Sequence, residues 1–350
     1  MGPAEVVWAD VLEGLLAGQD LTEERAEAVL GTIMRGEAEP SQAAGFLVAL
    51  RAKGETAAEL AGLVRAMVAA AVPLDVPGPL VDTCGTGGDR AGTFNISTVA
   101  AVVAAASGAR VAKHGNRAAS SACGSADLIE AWGIDLELPP SAVATTIEEL
   151  GIGFLYARSF HPAMRHVGPI RQHLGIRTVF NVLGPLCNPA HAERQVVGVA
   201  DPALAPVMAE ALSRLGRRAM VFRGSDGLDE LTTTGPSDVW DVRDGVVTPG
   251  TITPDELDLP RVRPEDLLGG DLDTNVRIAE EVLAGAEGPA ADAVALNAAA
   301  ALVVADIASD LGAGVARARE ALSSGAAKEL RDRWVARARE LKDQETVAGG

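Results

Sequence analysis

Aromatic residues, cysteines and basic charge are all scarce in this chain of 350 residues. Only 3% of the residues are aromatic, although 48% are hydrophobic, so close packing of alanine-rich helices is favoured over an aromatic-rich β-sandwich. The three cysteines, Cys84, Cys123 and Cys187, lack the paired spacing of metal ligands. They are predicted to be free thiols in a reducing compartment.

Long apolar runs and an electropositive balance are missing as well. No apolar run approaches the roughly 20 residues that span a bilayer, and the start of the sequence lacks the basic and apolar regions of a secretory signal. The formal net charge of −18 argues against a nucleic-acid or anionic-membrane partner, because both need an electropositive face. We therefore expect a cytoplasmic protein with neither kind of partner.

Acidic residues are absent from two long stretches of this acidic chain. Residues 90–126 and 151–192 contain no Asp or Glu, although the average composition would place about five and about six there. The second stretch also holds four of the five histidines, together with Arg158, Arg165, Arg171 and Arg177. Either the two stretches are simply buried, or they surround one anion site. Burial alone does not explain the retained arginines.

Hydrophobic periodicity divides the chain into a helical part and an α/β part. Up to about residue 72 it predicts four short helices, and a segment with three prolines at 72–79 then reads as a linker. Beyond it, strand-like and helical patterns alternate, which predicts an α/β fold with a mostly parallel central sheet flanked by helices. The strand-like segments are residues 80–83, 110–113, 153–156, 195–200 and 219–222, followed by a hairpin at 239–253 and a nearly all-helical region at 275–341.

The segment from residue 80 to residue 97 carries the first candidate site. A short apolar strand leads into a loop in which Gly85, Gly87 and Gly88 can take positive φ and turn backbone N–H groups toward a ligand. Ser97 and Thr98 stand where the N-cap of the next helix belongs, so the helix dipole would point at the same place. The segment predicts an anion cradle, with an ordinary tight turn as the alternative. Its spacing fits neither a Walker loop nor a dinucleotide fingerprint.

Two more polar loops follow strand-like segments, and ligands of parallel sheets gather at such strand ends. Residues 113–121 combine Lys113 with small residues, which suits phosphate oxygens, and Ser125 opens the next helix. A solvated polar loop is the alternative there. In residues 224–232, Asp229 and Glu230 offer the oxygen ligands with which proteins hold Mg2+. The alternative is that these two acidic residues are simply exposed to solvent.

Four motifs, taken together and in this order, resemble the anthranilate phosphoribosyltransferase family. They are DTCGTGGD and TFNIST at residues 82–89 and 93–98, KHGNRAASSACGSAD at 113–127, FHPAMRHVGPIRQHLGIRTVFNVLGPLCNPA at 160–190, and GLDELT at 227–232. The resemblance runs over essentially the whole chain. It implies that the chain transfers a phosphoribosyl group from phosphoribosyl pyrophosphate to anthranilate, with Mg2+, in tryptophan biosynthesis.

The resemblance also implies an organisation. We expect a helical domain over residues 1–72, joined by helices from about 162–183, and an α/β phosphoribosyl-transfer domain over 73–345. We further expect a homodimer formed through the helical domain.

Site residues are carried over from the motifs by position. Phosphoribosyl pyrophosphate would contact Gly85, Gly88, Asp89, Thr93, Asn95, Ile96, Ser97, Thr98, Lys113, Ser121 and Ser125. Anthranilate would meet Gly85, His114, Asn116, His161 and Arg171, and Mg2+ would be held by Ser97, Asp229 and Glu230. Lys113 and the metal-bound carboxylates would stabilise the leaving group, and no protein nucleophile is required. Arg90 departs from the family pattern, which often has glycine there.

Two other functions are compatible with parts of this pattern. A pyrimidine nucleoside phosphorylase has a similar architecture and also cleaves at ribose C1, but the first two motifs look like those of the transferase. A non-catalytic relative should have lost acceptor-side residues or gained a basic face. Asn116, Arg171, Asp229 and Glu230 are all present in this acidic chain.

Overall fold

A computed structural model describes residues 6–118 and 122–348 of the chain. Within these ranges, α-helices surround one seven-stranded sheet, and four of the helices precede the first strand. The predicted fold class, a small helical part followed by a mostly parallel sheet flanked by helices, is confirmed. No helix in the described ranges has both the length and the apolar composition needed to cross a membrane.

Four helices precede the sheet, and two of them begin at side-chain caps that the sequence predicts. They are α1 (Trp8–Leu16), α2 (Glu23–Met34), α3 (Pro40–Lys53) and α4 (Ala57–Ala69). At the start of α2, the Thr22 hydroxyl accepts a hydrogen bond from the N–H of Arg25. At the start of α4, the Thr56 hydroxyl and the Glu59 carboxylate each accept from the other's backbone N–H. This reciprocal pair confirms the predicted capping box.

The sheet is parallel at its centre and antiparallel at one edge. Its strands are β1 (Val81–Gly85), β2 (Val111–Gly115), β3 (Ile152–Tyr156), β4 (Arg194–Gly198), β5 (Arg218–Gly224), β6 (Ser237–Arg243) and β7 (Val246–Ile252). They lie side by side in the order β3–β2–β1–β4–β5–β6–β7. Strands β1 to β5 pair in parallel, whereas β6 and β7 add the predicted hairpin antiparallel to β5.

Further helices connect the strands and cover the sheet. They are α5 (Ile96–Ala106), α6 (Ser125–Ala131), α7 (Pro140–Leu150), α8 (Ala157–Phe160), α9 (Gly168–Leu174), α10 (Phe180–Leu183), α11 (Leu204–Arg214), α12 (Leu272–Leu283), α13 (Pro289–Val304), α14 (Leu311–Ser323) and α15 (Ala326–Ala348). The last four confirm the helical region predicted near the end of the chain. Parallel neighbours need such crossover elements, because a tight hairpin cannot join them.

The hydrophobic core consists of two clusters, one on each face of the sheet, because side chains along the central strands point alternately to the two faces. In β4, Val196 belongs to the cluster on one face of the sheet and Val197 to the cluster on the other, since successive strand side chains point to opposite faces. Helices α5 and α13 fill the first cluster. The second combines the N-terminal helices with Val167 and Phe180, which lie next to α9 and in α10. The segment around α9 and α10 therefore packs with α1 to α4.

The start of α5 differs from its prediction. Asn95 occupies the N-cap position and the helix begins at Ile96, so Ser97 and Thr98 lie inside the first turn rather than at the cap. The physical reason is that the N–H of Ser97 is satisfied from outside the helix, by Glu230 Oε1 at 3.2 Å. The Asn95 side chain instead donates to the backbone oxygen of Cys123 at 3.1 Å.

Candidate active site

Three loops meet at the edge of the sheet where β1, β2 and β5 end. We call residues 86–95 the glycine loop, residues 116–124 the second loop and residues 225–236 the acidic loop. Because the three preceding strands are parallel, their carboxyl ends share one edge and the loops become neighbours. Residues 119–121 of the second loop lie outside the described residues, and the predicted contact Ser121 is one of them.

Glycine is required beside the acidic loop for two different reasons. Gly87 and Gly88 have φ values of 64° and 83°, in the left-handed region that glycine adopts most easily. Gly85 does not have positive φ, so the prediction is wrong for that position. It ends β1, and a Cβ placed on it would lie 2.2 Å from Asp229 Oδ2. The missing side chain at Gly85 thus provides space for a carboxylate.

The acidic pair, Asp229 and Glu230, bonds to backbone donors of the glycine loop and of α5. Asp229 Oδ2 accepts from the N–H of Gly87 at 2.7 Å, and Glu230 Oε1 accepts from the N–H of Ser97 at 3.2 Å. The sequence predicts these donors for an external anion, but in the structure the chain's own carboxylates hold them. The approach is possible because a Cβ on Gly198, at the end of β4, would lie 1.6 Å from the Asp229 backbone oxygen.

The electrostatics of the acidic pair fit a divalent cation. Burial is the main cause that raises the pKa of both carboxyls, and repulsion adds to it, from Asp89 on Asp229 and from Asp229 on Glu230. In the described ranges neither carboxylate forms an ion pair. No group of three His, Cys, Asp or Glu in those ranges could hold a metal alone. One or two carboxylates completed by water and substrate phosphates is, however, the usual arrangement around Mg2+, so these residues fit that ion.

Lys113 places a buried ammonium group beside the acidic pair. Its side chain is 2% exposed, and its Nζ donates to the backbone oxygen of Thr83, to Thr83 Oγ1 at 3.3 Å and to Ser97 Oγ at 3.5 Å. All three acceptors are neutral, and within the described ranges Lys113 forms no ion pair. Its positive charge also opposes the upward shift of the Glu230 pKa. It opposes the rise that burial causes in the pKa of Asp82 as well, but neither carboxylate lies within ion-pair distance. A buried cation without a direct anionic contact is costly unless a ligand supplies the charge.

The second loop holds its polar residues through its own backbone. The Ser125 hydroxyl donates to the backbone oxygen of Asn116 at 3.2 Å. Arg117 is turned away from the site, because its guanidinium bonds Asp127 at 3.0 Å and Glu130 at 2.8 Å. The side chain of Asn116 is exposed at the loop surface, and its Oδ1 accepts from the N–H of Arg117 at 2.8 Å.

Two buried histidines face each other across the end of β2. The ring centroids of His114 and His161 lie 5.1 Å apart with a tilt of 59°. Burial lowers the pKa of His114 to about 3 and that of His161 to about 4, so both rings are neutral at pH 7. His114 Nδ1 lies 3.2 Å from the backbone oxygen of Gly184. That oxygen only accepts, which makes Nδ1 the protonated nitrogen. The Nε2 atoms of both rings are buried with no partner in the described residues.

Arg171 lies on α9 and contacts Phe180. Its Cζ is 5.3 Å from the centroid of the Phe180 ring, and partial burial lowers the pKa of the guanidinium. It forms no hydrogen bond or ion pair through its side chain with any described residue. The structure thus leaves its fork of donors available, although no direct bond joins it to the three loops.

Three other residues predicted to contact phosphoribosyl pyrophosphate, Thr93, Ile96 and Thr98, are at least partly buried in the structure. Thr93 is half-buried and forms an isolated bridge with Leu268. Ile96 has a buried side chain, and its N–H donates to the backbone oxygen of Phe94 at 2.7 Å. Thr98 is buried, and its hydroxyl has no partner in the described residues.

Two arginines noted in the sequence, and one asparagine that sequence reasoning misses, lie near the site. A Cβ on Gly88 would lie 2.4 Å from Nη1 of Arg177, so this exposed guanidinium covers the glycine loop. Arg177 is one of the four arginines retained in the second acid-free stretch. Arg90 adopts φ of 59°, a conformation that costs a residue with a side chain roughly 1–2 kcal/mol. Asn297 bonds the backbone next to Glu230, and its signal is a polar residue inside an apolar helix.

Comparisons with known proteins cover nearly the whole chain and agree on one enzyme family. Residues 9–71 match the family model for the helical bundle domain of a glycosyl transferase family, and residues 77–328 match the model for its a/b domain. Anthranilate phosphoribosyltransferase of Arthrobacter sp. (strain FB24) is 51% identical over 335 residues, which is 94% of this chain and 95% of that protein. The enzyme of Roseiflexus castenholzii is 53% identical over 93% of this chain and 97% of its own length.

Solved structures extend the same relationship. The crystal structure of anthranilate phosphoribosyltransferase from Thermus thermophilus has a TM-score of 0.90 and 52% identity, and the match covers 94% of this chain and 99% of that one. The enzyme from Saccharomyces cerevisiae, solved in complex with PRPP and Mg, has a TM-score of 0.85 at 28% identity and covers 97% of this chain and all of its own. Identity above one half over nearly the full length shows that this chain belongs to the anthranilate phosphoribosyltransferase family.

Proposed function

We propose that this chain transfers the 5-phosphoribosyl group of phosphoribosyl pyrophosphate to the amine of anthranilate, giving N-(5-phosphoribosyl)anthranilate and pyrophosphate in L-tryptophan biosynthesis. The observation that carries the proposal is the juxtaposition of unpaired charges: buried Lys113 and the acidic pair both lie beside Ser97, and none of them has an ionic partner in the described ranges. A magnesium diphosphate is a ligand that satisfies both signs of charge at once.

The diphosphate and its metal would occupy the space between the glycine loop, α5 and the acidic pair. Asp229, Glu230 and Ser97 would hold Mg2+. The yeast relative was solved in complex with PRPP and Mg, which supports a metal bound together with this substrate. The sugar diphosphate would then meet the backbone of Gly85 and Gly88, followed by the other residues carried over from the motifs. Those residues are Asp89, Thr93, Asn95, Ile96, Thr98, Lys113, Ser121 and Ser125.

Breaking the bond between ribose C1 and the diphosphate makes the leaving group more negative. Bound Mg2+ would supply a positive charge that stabilises this group. Lys113 contributes a second positive charge, held in place by Thr83 and Ser97 before the reaction begins. Such preorganised charge costs no rearrangement when the bond breaks. No residue of the chain has to form a covalent bond with the sugar.

The acceptor would bind on the side of the second loop and α9. Anthranilate carries a carboxylate, and the unpaired fork of Arg171 can bind such a group in two places. Neutral His114 and His161 would line its approach with Asn116 and Gly85. A yeast relative was solved in complex with 4-fluoroanthranilate, which supports an aromatic acid as the ligand. An aromatic amine is uncharged at pH 7, so the main requirement is that it be held against C1.

The assembly and the compartment form part of the same proposal. The apolar side chains of Val7, Leu16 and Val48 are 49%, 72% and 41% exposed on α1 and α3 and at the residue before α1. An exposed apolar surface of this kind fits a homodimer formed through the helical part. We propose that this part comprises residues 1–72 joined by helices from about 162–183, with the α/β domain at 73–345.

We also propose that the protein is cytoplasmic. The thiols of Cys84 and Cys187, which form no disulfide, are compatible with the cytoplasm.

The intrinsic fluorescence of anthranilate provides the first test. We expect the signal to decay when the protein, phosphoribosyl pyrophosphate and Mg2+ are all present, and to remain constant when any one of them is omitted. A constant signal from folded protein in the complete mixture would contradict the proposed function. Phosphorolysis of uridine by the same protein would then favour the phosphorylase.

Arg171→Ala should weaken anthranilate binding selectively. Loss of a charge-assisted hydrogen-bonding pair costs about 1.5–3 kcal/mol, so KM for anthranilate should rise about 10- to 100-fold, whereas KM for phosphoribosyl pyrophosphate should change little. Steady-state kinetics with each substrate varied in turn measures both constants. Arg165→Ala, at an exposed arginine of the same acid-free stretch, is the matched control. Equal changes in both constants would remove Arg171 as the carboxylate partner.

Replacing the acidic pair by Asp229→Asn with Glu230→Gln should raise the Mg2+ concentration needed for half-maximal activity. Changes outside a ligand shell already cost about 10- to 100-fold in metal affinity, so we expect a rise of at least about tenfold here. The control replaces the exposed adjacent acids Asp255 and Glu256 in the same way. If the Mg2+ titration is the same in both variants as in the unchanged protein, the acidic pair does not hold the metal.

The dimer proposal predicts that charge on the exposed apolar surface separates the subunits. The protein should sediment as a dimer at micromolar concentration, and Leu16→Glu combined with Val48→Glu should convert it to a monomer. Val246→Glu, at a residue that is 61% exposed on β7, should leave the dimer intact. A monomer in the unchanged protein would refute an interface of this kind.

A further inference from the structure

Helix α13 delivers one polar side chain to the backbone beside the acidic pair. The helix reads PAADAVALNAAAALVV, and from residue 293 to residue 304 it is entirely buried. Asn297, in the middle of that buried segment, is 4% exposed. Burying an amide in an apolar layer is unfavourable unless its hydrogen-bonding groups are satisfied. The position of Asn297 therefore calls for a specific explanation.

The Asn297 amide bonds both backbone groups of one residue. Its Oδ1 accepts from the N–H of Leu231 at 3.0 Å, and its Nδ2 donates to the backbone oxygen of Leu231 at 2.9 Å. Nδ2 also donates to the backbone oxygen of Ala293 at 2.9 Å, which fixes the amide to its own helix. The side chain thus pairs with Leu231 as a neighbouring strand would. Leu231 is the residue directly after Glu230.

The acidic loop needs such a restraint at this place. Asp229 and Glu230 are adjacent carboxylates that lie against the backbone N–H groups of Gly87 and Ser97, so their positions depend on the path of the acidic loop. On one side, the Asp229 backbone is confined by contact with Gly198. On the other side, Asn297 holds Leu231. Asn297 and Glu230 also line the same small cavity, so the two side chains are close to each other.

We propose that Asn297 is a positioning residue for the transfer reaction: by bonding both backbone groups of Leu231, it holds the carboxylates of Asp229 and Glu230 where they meet the metal diphosphate. This inference rests on the proposed function, because it gives Asn297 a role through the acidic pair. Asn297 does not touch the substrate in this role. Its loss should weaken the metal site rather than remove a chemical group from the reaction.

Asn297→Leu tests the proposal, because leucine has a similar size and removes all three hydrogen bonds. Mn2+ serves as the probe, since it prefers the same oxygen ligands as Mg2+ and its free form is measured by electron paramagnetic resonance. We expect the Mn2+ dissociation constant to rise about tenfold or more. The Mg2+ concentration for half-maximal activity should rise in parallel. Tm and circular dichroism establish that the variant is folded.

Asn275→Leu is the matched control for loss of a buried amide. Asn275 is 2% exposed on α12, and its Nδ2 donates to the backbone oxygens of Gly270 and Asp271 at 2.9 Å and 2.8 Å. We expect this variant to lower Tm without changing Mn2+ affinity. Unchanged affinity in Asn297→Leu, or equal loss of affinity in both variants, would overturn the proposal. If Asn297→Leu does not fold, Asn297→Ser, which is too short to bond both groups, replaces it with the same expected outcome.

The unchanged protein separates this proposal from the proposed function. If it binds Mn2+ and consumes anthranilate, while Asn297→Leu binds Mn2+ equally well, only the positioning role fails. If the unchanged protein consumes anthranilate but binds Mn2+ only when phosphoribosyl pyrophosphate is present, the two variants are compared in its presence, because substrate phosphates complete such a site. If the unchanged protein neither binds Mn2+ under either condition nor consumes anthranilate, both proposals fail together.

Discussion

The arrangement of the site depends on one close approach, that of the acidic loop to the ends of β1 and β4. Gly85 and Gly198 permit it, because a Cβ at either position would collide with Asp229. The approach brings two carboxylates within hydrogen-bonding distance of the N–H groups of Gly87 and Ser97. The same approach brings Glu230 close enough for the charge of Lys113 to oppose the rise in its pKa, as it does for the buried Asp82 on β1. The two glycines therefore matter through the space that they leave rather than through backbone flexibility.

The sheet order explains why these groups can meet at all. Strand β1 lies between β2 and β4, with β5 next to β4, and all of these strands run in the same direction. Their carboxyl ends therefore form one edge, from which the loops project side by side. The antiparallel hairpin of β6 and β7 extends the sheet beyond this edge region without interrupting it. The helices packed on the sheet supply the apolar support, and α13 contributes the amide of Asn297, which bonds the backbone of Leu231.

Local features of the fold can be read from the sequence, because they depend on a few neighbouring residues. The cap of α2 at Thr22 and the capping box of Thr56 and Glu59 are of this kind. So is the alternation that identifies the buried strands. The start of α5 could not be predicted in the same way, since the N–H of Ser97 is satisfied by Glu230, which is distant in sequence. A capping rule based on nearby residues has no access to such a partner.

In the candidate site, too, the functional residue types can be predicted from the sequence, whereas their contacts with residues distant in sequence cannot. Lys113, Asp229 and Glu230 are recognisable from residue type and motif, and the structure brings them to one edge. The acidic pair accepts hydrogen bonds from backbone N–H groups of the glycine loop and of α5. These bonds depend on the tertiary approach of the acidic loop, which the sequence does not reveal. The same holds for Arg177 over Gly88 and for Asn297 on Leu231. In each case the sequence contains the residue, but only packing determines its partner.

The hydrogen bond between Gly87 and Asp229 joins residues that are 142 positions apart. Closing so long a segment of chain costs conformational entropy before the contact contributes anything. During synthesis, the glycine loop leaves the ribosome well before the acidic loop, and Asn297 follows later still. A nascent chain that ends before α13 therefore has a glycine loop whose acidic partner is absent or lacks the hydrogen bonds of Asn297. The three loops and their support are complete only after α13 has been synthesised.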